Sequence, residues 1–125
     1  MAKIKQDFGS VSGGGYQVAE GNFTANSSTD VVDCPCGFVP DRIYLYKIAF
    51  NGSVSGNYVA IYDKSINANK QYNIVTSNAV ETAFPSTATQ LRLKGLTSNG
   101  FEFKFNTPSS SESQYWGTYH WVAMK

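Results

Sequence analysis

The chain has 125 residues, a formal net charge of +1, 15% charged residues and 14% aromatics. That length suits one domain with a core of its own, and the near-neutral balance excludes a purely electrostatic case for nucleic acid or an acidic membrane as partner. Polarity comes from Ser, Thr, Asn and Gly, which together with eight Tyr and eight Phe fits strands joined by turns.

The first ten residues, MAKIKQDFGS, carry basic side chains with no apolar stretch behind them, so no secretory signal is expected. No run approaches the roughly 18 apolar residues that span a bilayer. Without a signal, the sequons at Asn22, Asn26 and Asn51 read as chance matches in an Asn- and Ser-rich chain. Residues 1–15 end in three glycines and show no sustained apolar pattern, which predicts an extended arm. Its apolar anchors are Ile4, Phe8 and Val11, with Tyr16 at the junction. Such an arm is expected to lie on a neighbouring copy or a larger assembly, or to fold back on its own domain. The expected organisation is therefore an arm over 1–15 and a single domain over 16–125.

From Tyr16 onward the apolar period is two. YQVAEGNFTAN reads as a strand, TDVVDC as a short one. In GFVPDRIYLYKIAF, Ile43, Leu45, Lys47 and Ala49 share one face, while Arg42, Tyr44, Tyr46, Ile48 and Phe50 share the other. Two apolar faces predict a strand covered at least partly on both sides. NGSVSG is a turn cluster, NYVAIYD and QYNIVTS are strands, and AVETAFPSTATQ is expected to be an irregular connection with at most one helical turn before Pro85. LRLKGLTSNGFEFKFN alternates twice. Leu91 and Leu93 share a face, as do Phe101, Phe103 and Phe105, and Asn99-Gly100 is expected to supply the positive φ values of a tight hairpin turn. The closing YWGTYHWVAMK, with both tryptophans and the single histidine, also alternates in twos. About seven to nine strands and no convincing helix predict an all-β antiparallel sandwich or barrel.

The residues offer little chemistry. Cys34 and Cys36 in DCPCGF are separated by Pro35 alone, so they form no redox C-x-x-C, and two Cys with one distant His fall short of the four ligands of a zinc site. They read as structural thiols, small and buried, with a disulfide or pairing to another subunit as the alternatives. His120 has aromatic and aliphatic chain neighbours, which fits a packed or surface histidine better than a base. No nucleophile elbow, phosphate loop, dinucleotide fingerprint or EF-hand spacing occurs. No enzyme, metal or cofactor is expected. Tyr44, Tyr46, Tyr58, Tyr62, Tyr115 and Trp116 are the candidate interface or ligand aromatics, for subunit contacts or for stacking on sugar.

Phe38, Pro40 and Asp41 at the start of a strand, Gly100-Phe101 in the hairpin, and Trp121 with Ala123 in the terminal strand carry a resemblance. Over about residues 20–125 the chain resembles small β-sandwich modules of bacteriophage virion proteins, and also the H-type lectin fold. The resemblance implies a six- to eight-stranded antiparallel sandwich, jelly-roll or H-type lectin-like, a homo-oligomer such as a trimer, and display on a phage particle beside partners such as the major capsid protein. It transfers no sugar site. A capsid decoration or cement subunit, held by its arm and aromatic interfaces, is the expected function. A receptor- or carbohydrate-binding module of a tail or fibre is the alternative, with glycan as its ligand. Neither nucleic acid nor membrane is an expected partner.

Overall fold

The structure, a computed structural model, describes residues 9–11, 16–26, 28–50, 57–75, 78–86, 91–105 and 115–125, with the side chains of residues 9–11, 16, 49 and 50 left out of the description. Among the described residues ten strands run in chain order: β1 (Gly9–Val11), β2 (Tyr16–Ala25), β3 (Val31–Pro35), β4 (Arg42–Phe50), β5 (Tyr58–Asp63), β6 (Lys70–Val75), β7 (Asn78–Ala83), β8 (Arg92–Thr97), β9 (Gly100–Lys104) and β10 (Gly117–Met124). They form a seven-stranded sheet, ordered β1-β2-β10-β4-β5-β6-β7, and a three-stranded sheet, ordered β3-β9-β8. Every pairing is antiparallel. The fold is an antiparallel β-sandwich, as the period-two pattern predicts.

The two strands beyond the expected set are β1 and β7. β1 pairs with β2 of the same chain, Ser10 opposite Gln17, so the sandwich begins before Tyr16 and crosses the expected arm boundary. Of the arm residues, Val11 lies in this strand and Tyr16 opens β2; Ile4 and Phe8 lie outside the described residues. β7 replaces the expected irregular connection: NAVETA pairs along its whole length with β6. Its alternation is silent because five of its six residues are exposed, leaving no apolar-in, polar-out contrast to read.

The terminal strand is the centre of the larger sheet. β10 pairs with β2 on one side and β4 on the other, and its residues alternate between buried and half-buried from Gly117 to Met124. Tyr119, Trp121 and Ala123 face the core opposite Phe23, Gly21 and Ala19. Trp121 lies across β2 because Gly21 has no side chain. A Cβ there would come within 2.7 Å of the indole.

The core is aromatic. Phe23 stacks on Tyr119 at 5.3 Å between ring centroids, and Phe103 from the smaller sheet sits 5.6 Å from Phe23, 5.7 Å from Tyr58 and 5.9 Å from Tyr119. Phe101 meets Trp121 edge to face at 5.3 Å and 88°. Each fully buried ring of this kind stabilises by roughly 1.5–3 kcal/mol through area alone. Leu91 and Leu93 join them from the smaller sheet and its lead-in, as their shared face predicts.

Two buried polar side chains of β6 are fully engaged, Gln71 across the layers and Asn73 within the larger sheet. Gln71 is fully buried; its Nε2 donates to the carbonyls of Leu93 (2.8 Å) and Ala83 (3.0 Å), and its Oε1 accepts from Leu93 N–H at 3.0 Å. Asn73 accepts from the Tyr58 hydroxyl at 2.5 Å and donates to Thr82 Oγ1 at 2.9 Å. Buried amides are tolerated here because each has found partners.

The β8–β9 hairpin turns over Ser98 and Asn99, and Gly100 begins β9. Contrary to the expectation, Gly100 is not at positive φ; among the described glycines only Gly37 (86°) and Gly117 (148°) are. Gly100 is required for close approach. A Cβ there would strike the Cys34 carbonyl oxygen and lie 2.9 Å from Pro35 Cα.

Candidate functional site

The sandwich separates the six candidate aromatics. Tyr58 and Tyr62, expected as interface or ligand residues, point inward and are fully buried or nearly so, Tyr58 within the ring cluster and Tyr62 against Phe84 at 4.2 Å. They are core. The reason is register: Tyr62 faces Ile43 and Tyr58 lies one pleat beyond Ala60, which faces Leu45, all on the covered side. Tyr115 and Trp116 are half-buried and pack against the core from the lead-in to β10, where the Tyr119 hydroxyl donates to the Tyr115 carbonyl at 2.7 Å. Only Tyr44 and Tyr46 of the six sit on the uncovered face of the larger sheet, Tyr46 with 38% of its surface exposed. β4 is thus buried on one face only, through Ile43 and Leu45.

Strand pairing arranges that uncovered face into two registered rows. One runs Glu20, Val122, Tyr44, Ile61, Tyr72, Glu81 across β2, β10, β4, β5, β6 and β7. The next runs Asn22, His120, Tyr46, Val59, Ile74, Ala79. Six strands at about 4.8 Å spacing make each row about 24 Å long. The middle of both rows is aromatic or aliphatic, and the ends are polar or small. Ile74 (41% exposed) and Ile48 (48%) extend the apolar area, Ile48 as the extra residue where β4 bulges against β10. Tyr72 is not legible in the sequence as part of this surface, because QYNIVTS gives no sign of which face will be covered.

His120 lies at the β10 end of the second row. Its Nδ1–H donates to Asn22 Oδ1 at 2.5 Å, its Nε2 is 3.4 Å from Glu20 Oε1, and its ring stands 5.5 Å from that of Tyr46 at 60°. The imidazole is held between two polar partners beside a tyrosine. Its ring nitrogens are thereby engaged by Asn22 and Glu20, and no serine or cysteine is hydrogen-bonded to the ring among the described residues.

A separate depression lies at one end of the strands. It measures about 570 Å³ and is lined by Asp41, Arg42, Asp63, Lys64, Ser65, Met124 and Lys125. Two of its charges answer one another. Asp63 Oδ1 accepts from Ser65 N–H and Oγ–H at 2.9 and 2.6 Å, and Arg42 Nε stands 3.5 Å from Asp63 Oδ2. The Ser65 hydroxyl, its amide and the Arg42 charge hold the Asp63 carboxyl below its ordinary range. Arg42 and Asp63 engage each other, with Asp41, Lys64 and Lys125 lining the depression beside them; the aromatic face is the wider surface, six strands across, and is taken as the candidate. Among the described residues no three His, Cys, Asp or Glu side chains gather as metal ligands would.

Cys34 and Cys36 are free thiols, both buried beside the β8–β9 turn. Burial, with the neighbouring Cys36 and Asp33 charges, pushes the Cys34 thiol well up, and burial alone pushes Cys36 up to about 12. Both stay protonated at neutral pH, and the thiolate is the reactive form. Native protein at mildly alkaline pH is therefore expected to resist iodoacetamide at both positions, with both cysteines alkylated once it is unfolded in guanidinium. Mass spectrometry reads this directly, and rapid native labelling would show that β3 opens.

Compared with known proteins, the chain matches no family model, no curated protein and no solved structure.

Proposed function

We propose that the protein is a non-catalytic assembly subunit that docks on a particle through the aromatic face of its larger sheet. The setting is the one its resemblance implies, a capsid decoration or cement subunit of a bacteriophage virion. The observation that carries the docking reading is the pair of registered rows. Tyr44, Tyr46, Ile61, Tyr72 and Ile74 lie side by side on a sheet face that nothing among the described residues covers. Contiguous apolar area rimmed by polar residues is the signature of an interaction surface. The described part of the arm, β1, pairs with β2 as an edge strand of its own domain, which is the fold-back alternative among the expectations. The outer face, rather than a free tether, then provides the contact.

The stoichiometry of purified phage particles from the encoding host tests the setting. A decoration subunit is present in a fixed ratio to the major capsid protein, in many copies. A few copies per particle would move the protein to a tail or fibre, and absence from particles would overturn the virion reading.

One observation favours a second reading, carbohydrate binding. Tyr46 stands beside His120, Asn22 and Glu20, which combines a stacking ring with donors and acceptors for hydroxyls. A glycan screen decides it, since a hit lost in Tyr46→Ala would support this reading and no hit would remove it.

A further inference from the structure

The edge of the larger sheet at β7 has an unusual combination of features. β7 is the last strand in the sheet order, with no strand beyond it among the described residues. Natural edge strands are protected by lysine, proline, a bulge or a cover. NAVETA contains no lysine or proline, pairs with β6 without a register shift, and is exposed on both faces. Val80, on the side of the sheet that faces the core elsewhere, keeps 43% of its surface exposed.

The backbone polarity of that edge follows from one hydrogen bond. Phe84 N–H donates to the Asn69 carbonyl at 2.9 Å, in register with the Gln71–Thr82 pair. Alternation along an antiparallel strand then turns the amides and carbonyls of Asn78, Val80 and Thr82 toward β6, and those of Ala79 and Glu81 toward the open edge. The Ala83 carbonyl is taken by Gln71.

We propose that β7 pairs antiparallel with β7 of a second copy across a two-fold axis at Val80. In this register Ala79 of one copy and Glu81 of the other exchange both backbone hydrogen bonds. The two Val80 side chains meet at a non-hydrogen-bonded position, where cross-strand Cβ atoms are closest. Two features select it: Glu81, the only charged residue of the strand, falls opposite alanine, whereas a two-fold axis at Glu81 would set that carboxylate against itself, and an axis at Ala79 would pair only residues 78–80 of the strand, against 78–82 here. A net charge of +1 lets two copies approach. The occupant is a second copy because the strand's own sequence supplies both sides of the pair, and a two-fold interface needs that self-complementarity. Six residues give about 20 Å of edge, short of the roughly 800 Å² per partner of a standard interface, so the dimer is weak and grows with concentration. In a particle, where copies are crowded, it joins neighbours. This pairing does not depend on what the aromatic face binds.

The test uses the full chain. Val80→Cys, under mild oxidation at high micromolar concentration, is expected to form a disulfide-linked dimer roughly tenfold faster than Ile66→Cys, an exposed turn position whose pairing is collisional. Sedimentation velocity should show wild-type association rising with concentration. Ala79→Pro, whose lost N–H faces the open edge, and Val80→Lys, which sets two charges together, should each abolish association while leaving the melting curve within a few degrees of wild type. With two such variants, a folding failure in one does not decide the matter. Equal crosslinking rates for the Val80→Cys and Ile66→Cys variants, or association that persists in a folded edge variant, would overturn the proposal.

Discussion

Gly100→Ala is expected to destabilise the protein by about 3 kcal/mol or more, at the upper end of the overpacking range. The added methyl would meet the Cys34 carbonyl, Pro35 Cα at 2.9 Å and Cys36 N at 3.0 Å. All three are backbone atoms of β3 and its exit, so no side chain can rotate away. Relief requires β9 to move off β3. That movement also disturbs the Asn99 carbonyl, which accepts from Cys36 N–H at 2.7 Å and Gly37 N–H at 2.9 Å. Those bonds hold the end of β3 to the hairpin turn, and the left-handed Gly37 at 86° is what lets the second reach its acceptor. Thermal and guanidinium unfolding measure the effect, with a fall in Tm of roughly 10 °C expected for a domain of this size. Ser98→Ala, at the hairpin turn, is the control and should change stability by less than about 0.5 kcal/mol. A Gly100→Ala protein that melts with wild type would show that the two strands do not approach this closely.

Gln71→Leu is the second large effect, and it runs against hydrophobic intuition. The substitution replaces an amide by a similar apolar volume in a fully buried position, which area alone would favour. The amide, however, completes the open edge of β8. It accepts from Leu93 N–H and donates to Leu93 C=O, much as a neighbouring strand would, and also satisfies the Ala83 carbonyl. Removing it strands the two buried Leu93 backbone groups, each at about 1–3 kcal/mol, and also frees the part-buried Ala83 carbonyl. After allowance for the gain in apolar burial, a net loss of about 3 kcal/mol is expected. Hydrogen exchange localises it: the Leu93 amide should lose protection by more than global unfolding explains, while amides of β10 follow the global change. Unchanged Leu93 protection would mean that Gln71 is not what closes this edge.

These two residues show where sequence reading stops. The alternation of Leu91 and Leu93, and of Phe101, Phe103 and Phe105, is legible because each strand has one covered face and the hairpin is local. The closing stretch is legible as a strand for the same reason. Its place between β2 and β4 is not, since antiparallel pairing of residue 120 with residues 22 and 46 is a property of topology. Tyrosine conceals its face, because an amphipathic ring is at home in a core, as Tyr58 and Tyr62 are, and equally at home outside, as Tyr44 and Tyr46 are. The candidate surface therefore cannot be assembled from any one segment: five cross-strand registers create it. Gly100 reads as a turn glycine because Asn-Gly usually marks a tight turn; its actual constraint comes from β3, far back along the chain. β7 stays hidden because a strand exposed on both faces has no period to read.

The aromatic face itself should be nearly neutral for stability and decisive for docking. Tyr46→Ser with Ile74→Ser removes two side chains that are 38% and 41% exposed, so a combined loss of about 1 kcal/mol or less is expected. On the proposed docking, the same double variant should no longer associate with the particle, because the centre of an interface carries most of its energy. The most direct measurement is an image of the native particle at a resolution that places strands. The docking reading predicts this domain on the capsid lattice with the rows through Tyr44 and Tyr46 against the capsid surface. A domain seated with those rows facing solvent, or capping a tail or fibre instead, would contradict it.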